Sequence, residues 1–220
     1  MGCLRRFLVC GLSAGLLTGG SAVNCAQATE LFAGGYSFSD ELGGFRLLSG
    51  SGQGSSADPV VLVEEILHAA PIILVIRRQP TASGTKGPSF APLHLVKVVV
   101  NRSRLVWAGF EVELQEVAGK PSTYGDGLSF NQFAARPPDV SSDAFADNNR
   151  LFEPADRILF ERGFVDADAT AQFKLTITDP TPIPKFYLVQ DPKLLSAGLP
   201  LRHDFAALLH RQLFRQHRSH

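Results

Sequence analysis

Cysteine is scarce and unevenly placed: Cys3, Cys10 and Cys25 are the only three, and none lies beyond the first 25 positions. The rest of the chain can hold neither a disulfide framework nor a cysteine-based zinc site. A fold formed there must be held by core burial. An excess of charge of one sign is missing too, because 21 Lys and Arg stand against 21 Asp and Glu. That balance asks for neither nucleic acid nor an anionic membrane as partner. No apolar run reaches the ~20 residues of a helical membrane span. The GxSxG elbow, the HExxH helix and the P-loop are absent, and no cofactor is implied.

What is present begins with MGCLRRFLVCGLSAGLLTGGSAVNCAQA. Arg5 and Arg6 precede an apolar run from Phe7 to Leu17, followed by small residues and Ala26-Gln27-Ala28, the layout of a secretory signal peptide. Cleavage near Ala28 is expected, leaving an exported, periplasmic or extracellular chain without thiols. The arginine pair lacks the spacer of a twin-arginine signal. A lipid on Cys25 is the alternative fate, although Ala22-Val23-Asn24 fits a lipobox poorly. Loss of Arg5 and Arg6 takes the 21 basic residues to 19 against 21 acidic ones, a net charge of −2 with His neutral.

Short β-rich runs then recur between turn signals: Val60 to Ile66, Ile72 to Arg77, Leu93 to Asn101, Phe110 to Val117, Arg157 to Phe160, Phe173 to Thr178 and Phe186 to Gln190. Asp58-Pro59, Asp179-Pro180 and Asp191-Pro192 punctuate them. In QFKLTIT, Phe173, Leu175 and Ile177 take one face and Lys174, Thr176 and Thr178 the other, the period of a half-buried strand. The pattern predicts an all-β fold, an antiparallel β-sandwich of jelly-roll or immunoglobulin-like type, over residues 29–200. After a glycine-rich entry (Gly34, Gly35, Gly43, Gly44) comes SGSGQGSSADP, residues 49–59, which reads as a loop. The segment from Lys120 to Glu153 reads as an irregular excursion at one end of the sandwich.

The stretch RLVWAGFEVELQEV carries the single tryptophan and a row of carboxylates. Phe110, Val112 and Leu114 fall on one face, Glu111, Glu113 and Gln115 on the other, and Glu116 is out of phase unless a bulge intervenes. Period alone makes this a structural strand with an acidic outer face. The E-x-x-x-x-E frame of Glu111, Glu113 and Glu116 resembles the E-x-D-x-x-E motif of jelly-roll glycosidases related to laminarinases and lichenases. That resemblance implies a retaining mechanism with Glu111 as nucleophile and Glu116 as acid/base, their carboxyls ~5–5.5 Å apart. The central position is Glu113 where the family has Asp, and sugar clefts usually offer several tryptophans. A broader likeness lies in Asn101, Ser103, Trp107 and Phe110, then Asp156 and Phe160. This frame resembles exported bacterial β-sandwich proteins of unknown function, and implies an all-β fold and export.

Among other candidates, Asp139, Asp143 and Asp147 recur every four residues without EF-hand spacing, so no metal site is expected. Arg77-Arg78 can bind an anion or guard a sheet edge. His68 and His94 have no evident acid or nucleophile partner, and Asn101-Arg-Ser103 fits a glycosylation sequon. Residues 201–220 form a basic amphipathic tail: Phe205, Leu209 and Leu213 are spaced as one helical stripe beside Arg211, Arg215 and Arg218. It can cap the sandwich or dock on an acidic partner or anionic surface. His203, His210 and His217 repeat every seven residues, ~10.5 Å apart along such a helix, which is too far to share one ion. The expectation is a non-catalytic binding or envelope-associated protein, with Tyr124, Asp126 and Phe130 of the irregular segment as ligand contacts.

Overall fold

A computed structural model describes residues 27–80, 91–123, 126–130, 140–151, 156–181 and 183–195. The described chain is all β, in two facing sheets. One has the strand order β1 (Glu30–Ala33), β2 (Tyr36–Ser39), β5 (Ile72–Arg78), β13 (Lys185–Leu194), β7 (Trp107–Gln115), β11 (Arg157–Gly163), β10 (Phe145–Leu151). The other runs β3 (Phe45–Ser51), β4 (Val60–Ile66), β6 (Leu93–Asn101), β12 (Thr170–Thr178), β8 (Ser129–Phe130), with β9 (Ser141–Ser142) also paired to β12. The amphipathic tail lies outside the described residues, as do residues 1–26.

Alternation explains the layering. In β4, Val60, Leu62 and Ile66 are buried while Val61 and Val63 are only half-buried. In β12 the expected face, Phe173, Leu175 and Ile177, is buried and Lys174 is exposed. Phe173 is the hub of the interior: its ring stacks on Phe110 at 4.5 Å between centroids and meets Phe160 edge-on at 5.0 Å. Trp107 lies 5.6 Å from Phe110 and is completely buried. Aromatic contacts of this kind tie the two sheets together beyond the area they bury.

The structure corrects the sequence reading in four places. The sandwich is not wholly antiparallel, because β4 and β6 pair in parallel from Val60 opposite Leu95 to Ile66 opposite Asn101. The glycine-rich stretch holds β1, β2 and β3, and β3 continues to Ser51 inside the segment read as a loop. There Gly52 has φ 97° and a Cβ would sit 2.0 Å from the Pro59 carbonyl oxygen, so the turn admits no side chain. The excursion after Lys120 contributes β8, β9 and β10, and β10 is the edge strand beside β11. Finally, Asp191-Pro192 does not end β13. Its pairing with β5 stops at Gln190, so Pro192 sits where the strand has one neighbour, β7.

Removing the hub ring should be costly and removing its neighbour in sequence should not. Phe173→Ala is expected to lower the unfolding free energy by about 3–5 kcal/mol. Lys174→Ala should change it by less than about 0.5 kcal/mol. Urea denaturation of both variants checks the pair, and similar losses at the two positions would contradict the assigned faces.

Candidate functional site

The carboxylate row lies on the outer face of the seven-stranded sheet, where period two puts it. Strand β7 is central, so Glu111 and Glu113 are flanked on both sides: Glu113 lies opposite Arg157 of β11 and Val189 of β13, and Glu111 opposite Asp191. Arg157 reaches Glu111 at 3.7 Å and Glu113 at 3.5 Å, and Lys193 reaches Glu111 at 3.3 Å. Gln115 donates to Glu113 at 2.7 Å and accepts from the Gly119 amide at 2.7 Å. Burial pulls the Lys193 ammonium down, but its hydrogen bond to Asp191 and the charges of Asp191 and Glu111 hold it above the usual lysine range. The row is thus a cross-strand ladder of alternating charge.

Glu116 belongs to another place. The register of β7 with β13 runs unbroken from Gly109 to Gln115, and its one irregularity lies at the opposite end, by Lys193 and Leu194. No bulge brings Glu116 into phase with Glu111. Partial burial instead pushes its carboxyl above the ordinary glutamate range, with the charges of Asp126 and Asp179 acting in the same direction. These three acids lie where β7 ends, β12 ends and β13 begins. Asp126 caps its own loop, accepting from the amides of Thr123 at 3.0 Å and Leu128 at 3.1 Å. Arg78 at the end of β5 lies 3.9 Å from Asp179 and 5.4 Å over the ring of Tyr36. Burial raises the Tyr36 hydroxyl above its usual value, partly opposed by Arg78.

Of the expected ligand contacts, then, Asp126 stands at this end of the sandwich. Phe130 is fully buried on β8 and faces the core. Tyr124 lies outside the described residues, as do Asp139, Phe205, Leu209, Leu213, Arg211 and Arg215. Arg77 pairs with Glu41 at 2.6 Å and lies 3.9 Å from Glu30. Asp147 pairs with Arg162 at 2.8 Å, and Asp143 accepts from the Gln172 amide at 2.7 Å. His94 meets the hydroxyl of Thr176, its cross-strand neighbour on β12, at 3.2 Å. Among the described residues no three metal-ligating side chains converge.

The Asn-x-Ser-x-x-x-Trp frame is a structural corner. Asn101 is buried and donates to the carbonyls of Leu105 at 2.7 Å, Asp166 at 3.0 Å and Val165 at 3.1 Å. Its own carbonyl accepts from the Ser103 hydroxyl at 2.6 Å, and that hydroxyl accepts from the Trp107 indole at 3.0 Å. The turn between β6 and β7 is thereby fastened to the loop between β11 and β12. A buried Asn101 is also closed to glycosylation in the folded protein. Asp156 fastens the other end: it accepts from the Phe130 amide at 3.0 Å and lies 3.6 Å from Arg150, while burial holds its carboxyl above the usual aspartate range.

One constellation escaped the sequence reading. Lys97, Glu64 and Gln190 occupy inward positions of β6, β4 and β13 and meet between the sheets with no exposed surface. The Lys97 Nζ donates to Glu64 Oε1 at 2.7 Å and to Gln190 Oε1 at 2.6 Å, and Gln190 Nε2 donates to Glu64 Oε2 at 3.5 Å. Burial pushes the Lys97 ammonium down, partly offset by the charge and hydrogen bond of Glu64. In VVLVEEI and LHLVKVVVN the charged residue stands in phase with the buried apolar ones, and that phase was the available signal.

No protein family, curated protein or solved structure matches the chain.

Two outcomes follow from these networks. Asn101→Ala strands buried carbonyls and a hydroxyl, and should cost at least about 2 kcal/mol in chemical denaturation. Ser103→Ala, which removes only the relay to Trp107, should cost less. For Glu116 the folded state holds its proton more tightly than the unfolded chain does. Its ionisation therefore erodes stability as pH rises from the ordinary glutamate range through the raised value. Glu116→Gln should match the parent at acid pH and exceed it near neutrality. Melting curves across that range check the sign, and an advantage confined to acid pH would reverse it.

Proposed function

We propose that the chain is an exported, non-catalytic binding or envelope-associated protein that recognises its ligand through the loops at one end of the sandwich. The observation that carries this reading is the neutralisation of the outer carboxylate row. A retaining glycosidase needs two carboxyls facing each other across a substrate, whereas Glu111 is engaged by Arg157 and Lys193 and Glu116 sits with a different set of neighbours. The loop end supports the binding role: the charges of Asp126 and Asp179 act on Glu116 there, and Arg78 lies by Asp179 and over the ring of Tyr36. Tyr124, two positions before Asp126, adds an aromatic group to the same loop in sequence.

Export is supported by the signal-like N-terminus and by the first described strand. The Thr29 amide donates to Asp40 Oδ1 at 2.6 Å, and Asp40 Oδ2 accepts from the Leu47 amide at 3.0 Å. Cleavage after Ala28 turns the Thr29 nitrogen into an ammonium facing that carboxylate, a stronger pair than the amide makes.

The test uses a panel of β-glucans and cell-wall polysaccharides, including insoluble peptidoglycan. Retention on one of them without release of reducing ends, weakened tenfold or more by Asp126→Ala or Tyr124→Ala, is the expected result. Hydrolysis that disappears in Glu111→Gln would overturn it in favour of the glycosidase.

A further inference from the structure

The buried triad is placed for a reaction as well as for packing. Two charges between the sheets are an expensive way to fill space, since apolar side chains of similar volume are commonly as stabilising or more so. A lysine, a carboxamide and a carboxylate in mutual hydrogen-bond contact are, however, the complete set of groups for aminolysis of the amide. We infer that Lys97 and Gln190 join in an isopeptide bond across the sandwich, between Lys97 Nζ and the side-chain carbonyl carbon of Gln190, with Glu64 carrying the protons.

Three hydrogen bonds bring the reacting groups together. Lys97 Nζ lies 2.6 Å from Gln190 Oε1, the oxygen bonded to the carbon it attacks, so the two groups meet without a diffusive encounter. Glu64 touches both nitrogens involved: Oε1 is 2.7 Å from the attacking Nζ and Oε2 is 3.5 Å from the departing Nε2. One carboxylate thus takes a proton from the nucleophile and delivers it to the leaving group. Burial favours the neutral amine that attack needs.

The step balances without a further reactant. The Lys97 ammonium passes a proton to Glu64, and the free amine adds to the carbonyl carbon. A second proton then leaves Nζ, both protons end on the carboxamide nitrogen, and the carbon–nitrogen bond to it breaks. Ammonium departs, a secondary amide remains, and Glu64 is ionised at the end as at the start. The link joins β6 of one sheet to β13 of the other and closes a loop of 93 residues. In a chain with no cysteine after Cys25 it supplies a cross-link that reduction cannot open.

The test is mass spectrometry of the purified full chain, unfolded before measurement. The expected intact mass is lower than the sequence mass by one ammonia, and proteolysis should release a branched peptide joining Lys97 to Gln190. Glu64→Gln should restore the full mass and run more slowly on a denaturing gel, where the linked parent is more compact. A parent at full mass, with Lys97 and Gln190 recovered in separate unmodified peptides, overturns the inference whether or not the variant folds. So does an ammonia loss that maps anywhere other than a peptide joining Lys97 to Gln190.

Discussion

Two sheets packed face to face leave an interior in which a polar side chain must find all of its partners among other side chains or backbone groups. Most inward positions meet that constraint by being apolar, as Phe173, Phe110 and Phe160 do in the aromatic hub. Two of the exceptions meet it through close hydrogen bonds to other side chains and to the backbone. Asn101 spends its amide on three carbonyls and its oxygen on Ser103, and Lys97 divides its protons between Glu64 and Gln190. The same constraint acts more weakly on the outer face of the seven-stranded sheet, where Glu111 and Glu113 lie in the middle of the sheet and find Arg157 and Lys193 on the neighbouring strands.

The strands that sequence alone located are those in which one face is largely apolar, such as QFKLTIT, because burial on one side forces a period of two. Those it missed are of two kinds. Strands β1 and β2 have only four residues each and β3 runs on into the glycine- and serine-rich segment, so none shows a long alternation. Strand β10 reads FADNNRL, an edge strand with little apolar content, so its identity comes from the register with β11. The parallel placement of β4 beside β6 was out of reach for the same reason. Local pattern fixes which way a side chain points, and says nothing of which strand lies alongside.

The site was less legible than the fold. The phase of Glu111, Glu113 and Gln115 was readable, and so was the misfit of Glu116, but their counter-charges come from residues 157 and 193, on strands that sequence spacing does not bring near. Phe130 looked like a loop aromatic because the surrounding composition is that of a loop, whereas pairing of its strand with β12 turns it inward. The Asn101, Ser103 and Trp107 frame was visible as a pattern, and only coordinates show that it is a fastening.

The parallel pair has a consequence for how the chain gets to this state. Strands β4 and β6 cannot form a hairpin, and the intervening β5 belongs to the opposite sheet, between β2 and β13. Strand β13, the last of the described strands, sits in the middle of its sheet between β5 and β7. Assembly must therefore wait for β13, and a polypeptide made only as far as β12 has a gap where that strand belongs. Such a topology folds through distant contacts, on the slow side for its size, and leaves the sheet split until β13 emerges.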